Sequence, residues 1–134
     1  MIISDNRVQT HFLSIKDYLD QVIYSLLRTE DHDMADELFI RIKEGEATFT
    51  QMARMFSEEH QANTEGIIGP VCHQKAHPVI AARLRGTSIG RIMKPFWFKQ
   101  LSVIMRVNDF IGARYFDHKD MIRQHLEEAV IAPA

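Results

Sequence analysis

The sequence predicts an α+β domain on a mostly antiparallel sheet, and three observations predict it. Apolar residues recur at helical spacing in five segments and form strand-like runs in four others. The strand-like runs are joined by short links, the helical segments are grouped, and regular strand–helix–strand alternation is missing. The 134 residues, 46% hydrophobic and 25% charged, suit one ordinary domain and argue against extensive disorder.

Each element has a local reason. Residues 4–19 read as helix, with Ser4 as N-cap and Val8, Phe12 and Ile15 on one face. Residues 22–27 are a β-branched and aromatic run of strand length. A polar loop, residues 28–33, leads into a helix presenting Met34, Leu38 and Ile42, which Gly45 closes in the left-handed conformation. Thr48 and Gln51 form a capping box ahead of a helix striped by Phe49, Met52, Ala53 and Phe56. After a polar stretch, residues 66–71 read as a short strand. His77-Pro78 opens a helix carrying Ile80, Ala81 and Leu84, because proline suits a first turn. Residues 92–98 and 101–109 read as a hairpin pair of strands. Residues 117–130 form a last helix with Met121, Ile122, Leu126 and Ala129 on one face.

Composition excludes several classes. The apolar runs are a few residues long, too short for a membrane-spanning helix. The N-terminus has neither the basic flank nor the apolar core of a secretory signal. Cytoplasmic residence is the expectation, with an envelope location open if the chain is part of a longer protein. The one cysteine, Cys72, excludes an intrachain disulfide and a polycysteine zinc site. Cys72-His73 with His77 four residues beyond has ligand-like chemistry, but Pro78 places a helix start too late for both histidines to share its face. No Gly-rich phosphate loop is present. The expectation is therefore neither metal nor cofactor.

The net charge of −2 hides two blocks. Residues 30–65 hold ten acids against Arg41, Lys43 and Arg54, a balance of −7; residues 66–107 hold seven bases and no acid. The basic block lacks a nucleic-acid motif, so the expectation is that two oppositely charged halves fold against each other and no nucleic acid binds.

Five pieces in register carry a family resemblance. They are Ile40-Arg41-Ile42-Lys43-Glu44-Gly45-Glu46-Ala47-Thr48-Phe49, Met52-Ala53-Arg54-Met55-Phe56-Ser57 and Gly66-Ile67-Ile68-Gly69, followed by Leu84, Gly90 and Pro95-Phe96, and finally Val103-Ile104-Met105-Arg106-Val107. Over residues 22–109 the sequence resembles the parvulin-type peptidyl-prolyl cis-trans isomerases. Tyr24-Ser25-Leu26-Leu27 and His77-Pro78 look most like a divergent, cyanobacterial-type branch. The resemblance implies a four-stranded, mostly antiparallel sheet surrounded by helices, with a prolyl-peptide groove on one face. Residues 1–21 and 110–134 then become helical flanks of an isomerase domain.

The departures bear on mechanism. The family carries two histidines on neighbouring strands; register places Ser25 and Val103 there. The family's cysteine or aspartate after the second helix falls on Glu59, its apolar pocket residue on Ile68, and its pocket aromatic near His77. Rotation about an Xaa-Pro bond, over a barrier of roughly 18–20 kcal/mol, breaks no covalent bond and needs no nucleophile or metal. It needs an apolar slot and groups that favour the twisted amide. The expected slot is Ile68, His77 and Phe98, with Ser25 as hydrogen-bonding group and Glu59 as polar wall. Val103, in phase with Met105 and Val107, lines the slot or simply fills core. The expected activity is isomerisation, weaker than with both histidines, on proline-containing or unfolded segments. The loop after the first strand, with Glu30, Asp31 and Asp33 and only Arg28 basic, would repel a phosphate before the proline. A non-catalytic peptide-binding chaperone on the same fold is the rival reading.

Overall fold

A computed structural model describes residues 2–57 and 66–131. In chain order the elements are α1 (Asp5–Leu19), β1 (Gln21–Thr29), α2 (His32–Lys43), α3 (Phe49–Phe56), β2 (Ile67–Cys72), a 3-10 turn (His73–Lys75), α4 (Pro78–Arg85), β3 (Phe96–Phe98), β4 (Leu101–Ile111) and α5 (Tyr115–Ile131). The four strands form one antiparallel sheet in the order β2-β1-β4-β3. Among the described residues no helix is long and apolar enough to cross a membrane.

Local chemistry sets the helix ends as the sequence leads one to expect. Ser4 Oγ accepts from Arg7 N at 3.2 Å, and Asp31 accepts from Met34 N at 2.9 Å. At α3 both arms of the capping box form, each at 3.1 Å. Each such cap contributes about 1 kcal/mol. His77 caps α4, with Pro78 in the first turn.

Two elements differ from expectation. Of residues 92–98 only Phe96–Phe98 is a strand, preceded by an isolated bridge between Ile92 and Arg106. Pro95, which lacks an N–H, interrupts the ladder between them. In α5, Ile122 and Leu126 are buried but Met121 is exposed.

Each face of the sheet carries its own core. Leu27 and Ile104 pack against Ala35 and Leu38 of α2 and Phe49, Met52 and Ala53 of α3. On the other face Val22, Tyr24 and Leu26 of β1 and Val103, Met105 and Val107 of β4 pack under Ile80 and Leu84 of α4. A third cluster joins the terminal helices through Val8, Phe12, Ile122 and Leu126. The described ion pairs are Lys16–Asp20 and Arg123–Asp5. Neither joins the acidic block to the basic one; α2 and α3 of the acidic block instead pack on β4 of the basic block through Leu38, Phe49 and Ile104, so the two halves fold against each other by apolar burial.

Bulges decide which residues share a face. From Gln21↔Ile111 to Ile23↔Asp109 the β1–β4 register is regular, then Tyr24 pairs with Val107 and Asn108 is left as an extra residue. Facing β2, Gly69 and Pro70 together oppose Ile23, with a cis Gly69–Pro70 peptide. Gly69 has φ +111°, and a Cβ there would meet the Val22 carbonyl oxygen at 2.4 Å. Only glycine fits.

Candidate functional site

The structure divides the expected site residues between the two faces. Ser25 is 2% exposed and pairs with Arg106, on the α2/α3 side of the sheet. Its Oγ accepts from Asn108 Nδ2 at 2.8 Å, and Asn108 Oδ1 in turn accepts from Arg106 Nε at 3.0 Å. Ile68, Phe98 and Val103 belong with the opposite core. Ser25 therefore does not reach the groove face, which corrects its expected place in the slot. Had the first register continued, Val107 would oppose Ser25 and Val103 would share its face. The extra residue Asn108 moves the partner to Arg106 and turns Val103 away.

Val103 is 0% exposed in the core beneath α4, the place that the core-filling one of its two expected roles requires. Glu59 lies outside the described residues. His77 is exposed; its Nδ1 accepts from Val79 N at 3.2 Å and its ring meets Phe98 edge-on, centroids 4.7 Å apart. Ile68, half-buried, pairs with Tyr24 across β2 and β1. Ile68 and Phe98 thus sit on the two edge strands of one face, with β1 and β4 between them and α4 over the centre.

Tyr24, not Ser25, is the β1 residue that faces this side. Its side chain is buried among apolar neighbours, and that desolvation pushes its phenol above the ordinary tyrosine value. The hydroxyl has no hydrogen-bond partner among the described residues. Strand alternation sets Val22, Tyr24 and Leu26 opposite Ser25 and Leu27, but both sets are buried, so the sequence does not tell which of them faces the groove.

The other chemistry-bearing residues lie apart. His73, in the 3-10 turn, is buried with Nδ1 unpartnered among the described residues, whereas His77 belongs to α4. Cys72 Sγ lies 4.0 Å from the Leu19 carbonyl oxygen. No cluster of three or more metal-ligating side chains occurs among the described residues. On the far side of β3, Trp97 is 70% exposed, yet one of its faces is stacked on His32 at 3.8 Å and 6°. His32 Nδ1 is hydrogen-bonded to the buried Ser102 hydroxyl. Spacing could not reveal this pair, because its members are far apart in sequence.

Comparisons with known proteins agree with this architecture. The fold is similar to that of the PrsA peptidylprolyl isomerase from Bacillus anthracis, with TM-score 0.67 and 21% identity over 97% of this chain and 58% of that one. It is also similar to a SurA-like chaperone of Campylobacter jejuni (TM-score 0.62, 14% identity, 96% of this chain and 56% of that one). The parvulin domain of PpiD from E. coli matches 69% of this chain and 90% of its own length, with TM-score 0.59 and 18% identity. The chain spans a little over half of the PrsA and SurA-like structures. No curated protein matches the sequence. The rotamase family, described as the PPIC-type PPIase domain, matches residues 24–109. With most of its length inside that match and a four-stranded antiparallel sheet of the same kind, the chain belongs to the parvulin-type peptidyl-prolyl isomerase family.

Proposed function

We propose that this chain is a peptidyl-prolyl cis-trans isomerase module that works without an imidazole pair. The observation that carries the reading is the Tyr24 phenol, an unpartnered donor on the face where Ile68 stands as its cross-strand neighbour. Opposed residues on neighbouring strands have Cβ atoms about 5 Å apart. A prolyl ring against Ile68 brings the prolyl nitrogen to the Tyr24 hydroxyl. That nitrogen's lone pair is tied up in amide resonance in both planar forms and is released only when the bond is twisted. An O–H donor aimed at it binds the twisted state better than either ground state, which is the condition for catalysis. A phenol, with an ordinary pKa of about 10, is protonated across the physiological range, and burial raises this one further, so the donor persists. His77 and Phe98 give the client segment a second apolar contact at the other edge.

The activity is weak, since one neutral hydrogen bond contributes about 1 kcal/mol. It is not phosphate-directed, because Glu30, Asp31 and Asp33 flank the β1–α2 turn. Exchange NMR on Ala-Pro peptides tests the reading. Exchange faster than the uncatalysed rate is expected, with kcat lowered about five- to tenfold and KM unchanged in Tyr24→Phe. No acceleration by the wild-type chain would overturn it.

The packing of Ile80 and Leu84 over the middle of this face favours a second reading, a non-catalytic chaperone module that clasps unfolded, proline-containing segments at its margins. Peptide binding without exchange broadening would establish it.

A further inference from the structure

A second cleft, of about 840 Å³, opens where the C-terminal ends of α2 and α4 meet the chain leading into β3. Lys43, Arg83, Arg91 and Lys94 converge on it, with Phe39 and Phe96 in its walls. No Asp or Glu lines it among the described residues. Nor does any of these four cations have a carboxylate partner there. Two are held by rings: the Arg83 guanidinium lies 3.8 Å from the Phe96 centroid, and the Lys43 ammonium 5.7 Å from that of Phe39. Lys43 and Arg83 are accounted for in part by the last turns of their helices, where a cation meets the negative end of the macrodipole. Arg91 and Lys94 belong to no helix and have no such role. Four unpaired like charges around one concavity repel one another, and an anion relieves that repulsion.

We infer that this cleft binds the carboxylates of an acidic stretch in the same client segment whose proline is turned over beside α4. The inference rests on the client-binding reading above and adds the class of segment selected. Alternation of cations with aromatic and apolar walls suits a polypeptide carrying acidic and apolar side chains. The spacing follows from the length of α4 and the width of the sheet. His77, beside Phe98, caps one end of the helix, and Arg83 lies in its last turn at the cleft. Eight residues of helix span about 12 Å, which an extended chain covers in about four residues. From Ile68, where the prolyl ring sits, the three strand spacings of about 4.8 Å to the β3 edge add about four more residues. A glutamate pair about eight residues from the proline therefore reaches the cleft. A pair immediately beside it does not.

The test is fluorescence anisotropy on labelled single-proline peptides. They carry a Glu pair either adjacent to the proline or about eight residues away on either side, each matched by a Gln version. At about 50 mM salt, one of the distant Glu peptides binds about tenfold tighter than its Gln counterpart. The advantage shrinks at about 300 mM salt and is lost in Arg91→Glu/Lys94→Glu, two exposed positions whose substitution leaves circular dichroism and melting unchanged. Equal affinities for the Glu and Gln peptides, or a preference that survives charge reversal, would overturn the inference. So would displacement of the peptide by an oligothymidylate at lower concentration than by unlabelled peptide, since the occupant would then be nucleic acid. Prolyl exchange is recorded on the same samples. If exchange is absent from every peptide while the Glu preference and its loss on charge reversal remain, the cleft assignment stands and the isomerase reading falls.

Discussion

Asn108, the one extra residue in β4, donates its side-chain amide to the buried Ser25 hydroxyl at 2.8 Å, so the bulge and the residue facing it are tied together. Ser25 is thereby a structural residue of the α2/α3 face. Asn108→Ala leaves the 2%-exposed Ser25 hydroxyl without this partner and is expected to cost about 1–3 kcal/mol. Ser25→Ala, which removes the buried hydroxyl itself, is expected to cost less, about 0.5–1.5 kcal/mol. Urea denaturation of both singles and the double gives the coupling. Prolyl exchange in Ser25→Ala persists at temperatures where the variant is folded; its loss there would return Ser25 to the reaction.

Tyr24 makes stability depend on alkaline pH. Its folded-state phenol is raised by desolvation above the unfolded value of about 10. Between the two values the unfolded chain has released a proton that the folded chain still holds. The native state binds more protons, so stability falls as pH rises in this window. The contribution is fully present below about pH 10 and lost progressively above it. Absorbance titration of the three tyrosines is expected to show one phenol ionising late or only on unfolding, and Tyr24→Phe is expected to flatten the alkaline decline in melting temperature. An unchanged slope in that variant would contradict the assignment.

Gly69 admits no side chain. Its φ of +111° and the 2.4 Å approach of a built Cβ to the Val22 carbonyl oxygen place the clash on backbone of the central strand β1. Gly69→Ala is expected to destabilise by about 2–3 kcal/mol. A chemical-denaturation midpoint within error of wild type would show that the bulge can relax.

The stack of His32 on Trp97 is readable by fluorescence, since Trp97 is the only tryptophan. His32→Ala is expected to lower Trp97 anisotropy and shift its emission to the red. It should also cost about 0.5–1.5 kcal/mol for the lost ring pair, with the Ser102 hydroxyl losing its His32 partner. Unaltered emission and anisotropy would mean that the indole is held by something other than the imidazole.

What the sequence alone determined is whatever depends on neighbours within a few residues. The Ser4 and His77 caps, the Thr48–Gln51 box and the left-handed Gly45 all form as the local pattern requires. The helical stripes bury Leu38, Phe49 and Leu84 as their periodicity demands. The α+β class and the family follow from the order of those elements and from five motifs in register. Tertiary structure alone decided which face each β1 side chain takes. Strand side chains alternate with a period of two, so the one inserted residue at Asn108 exchanges the faces of everything paired beyond it. The second irregularity, where Gly69 and Pro70 together oppose Ile23, is why Tyr24 rather than Ser25 stands beside Ile68. Nor can the convergence of Lys43 with Arg83, Arg91 and Lys94 be read from spacing: charges on separate elements meet only when the chain closes around the sheet.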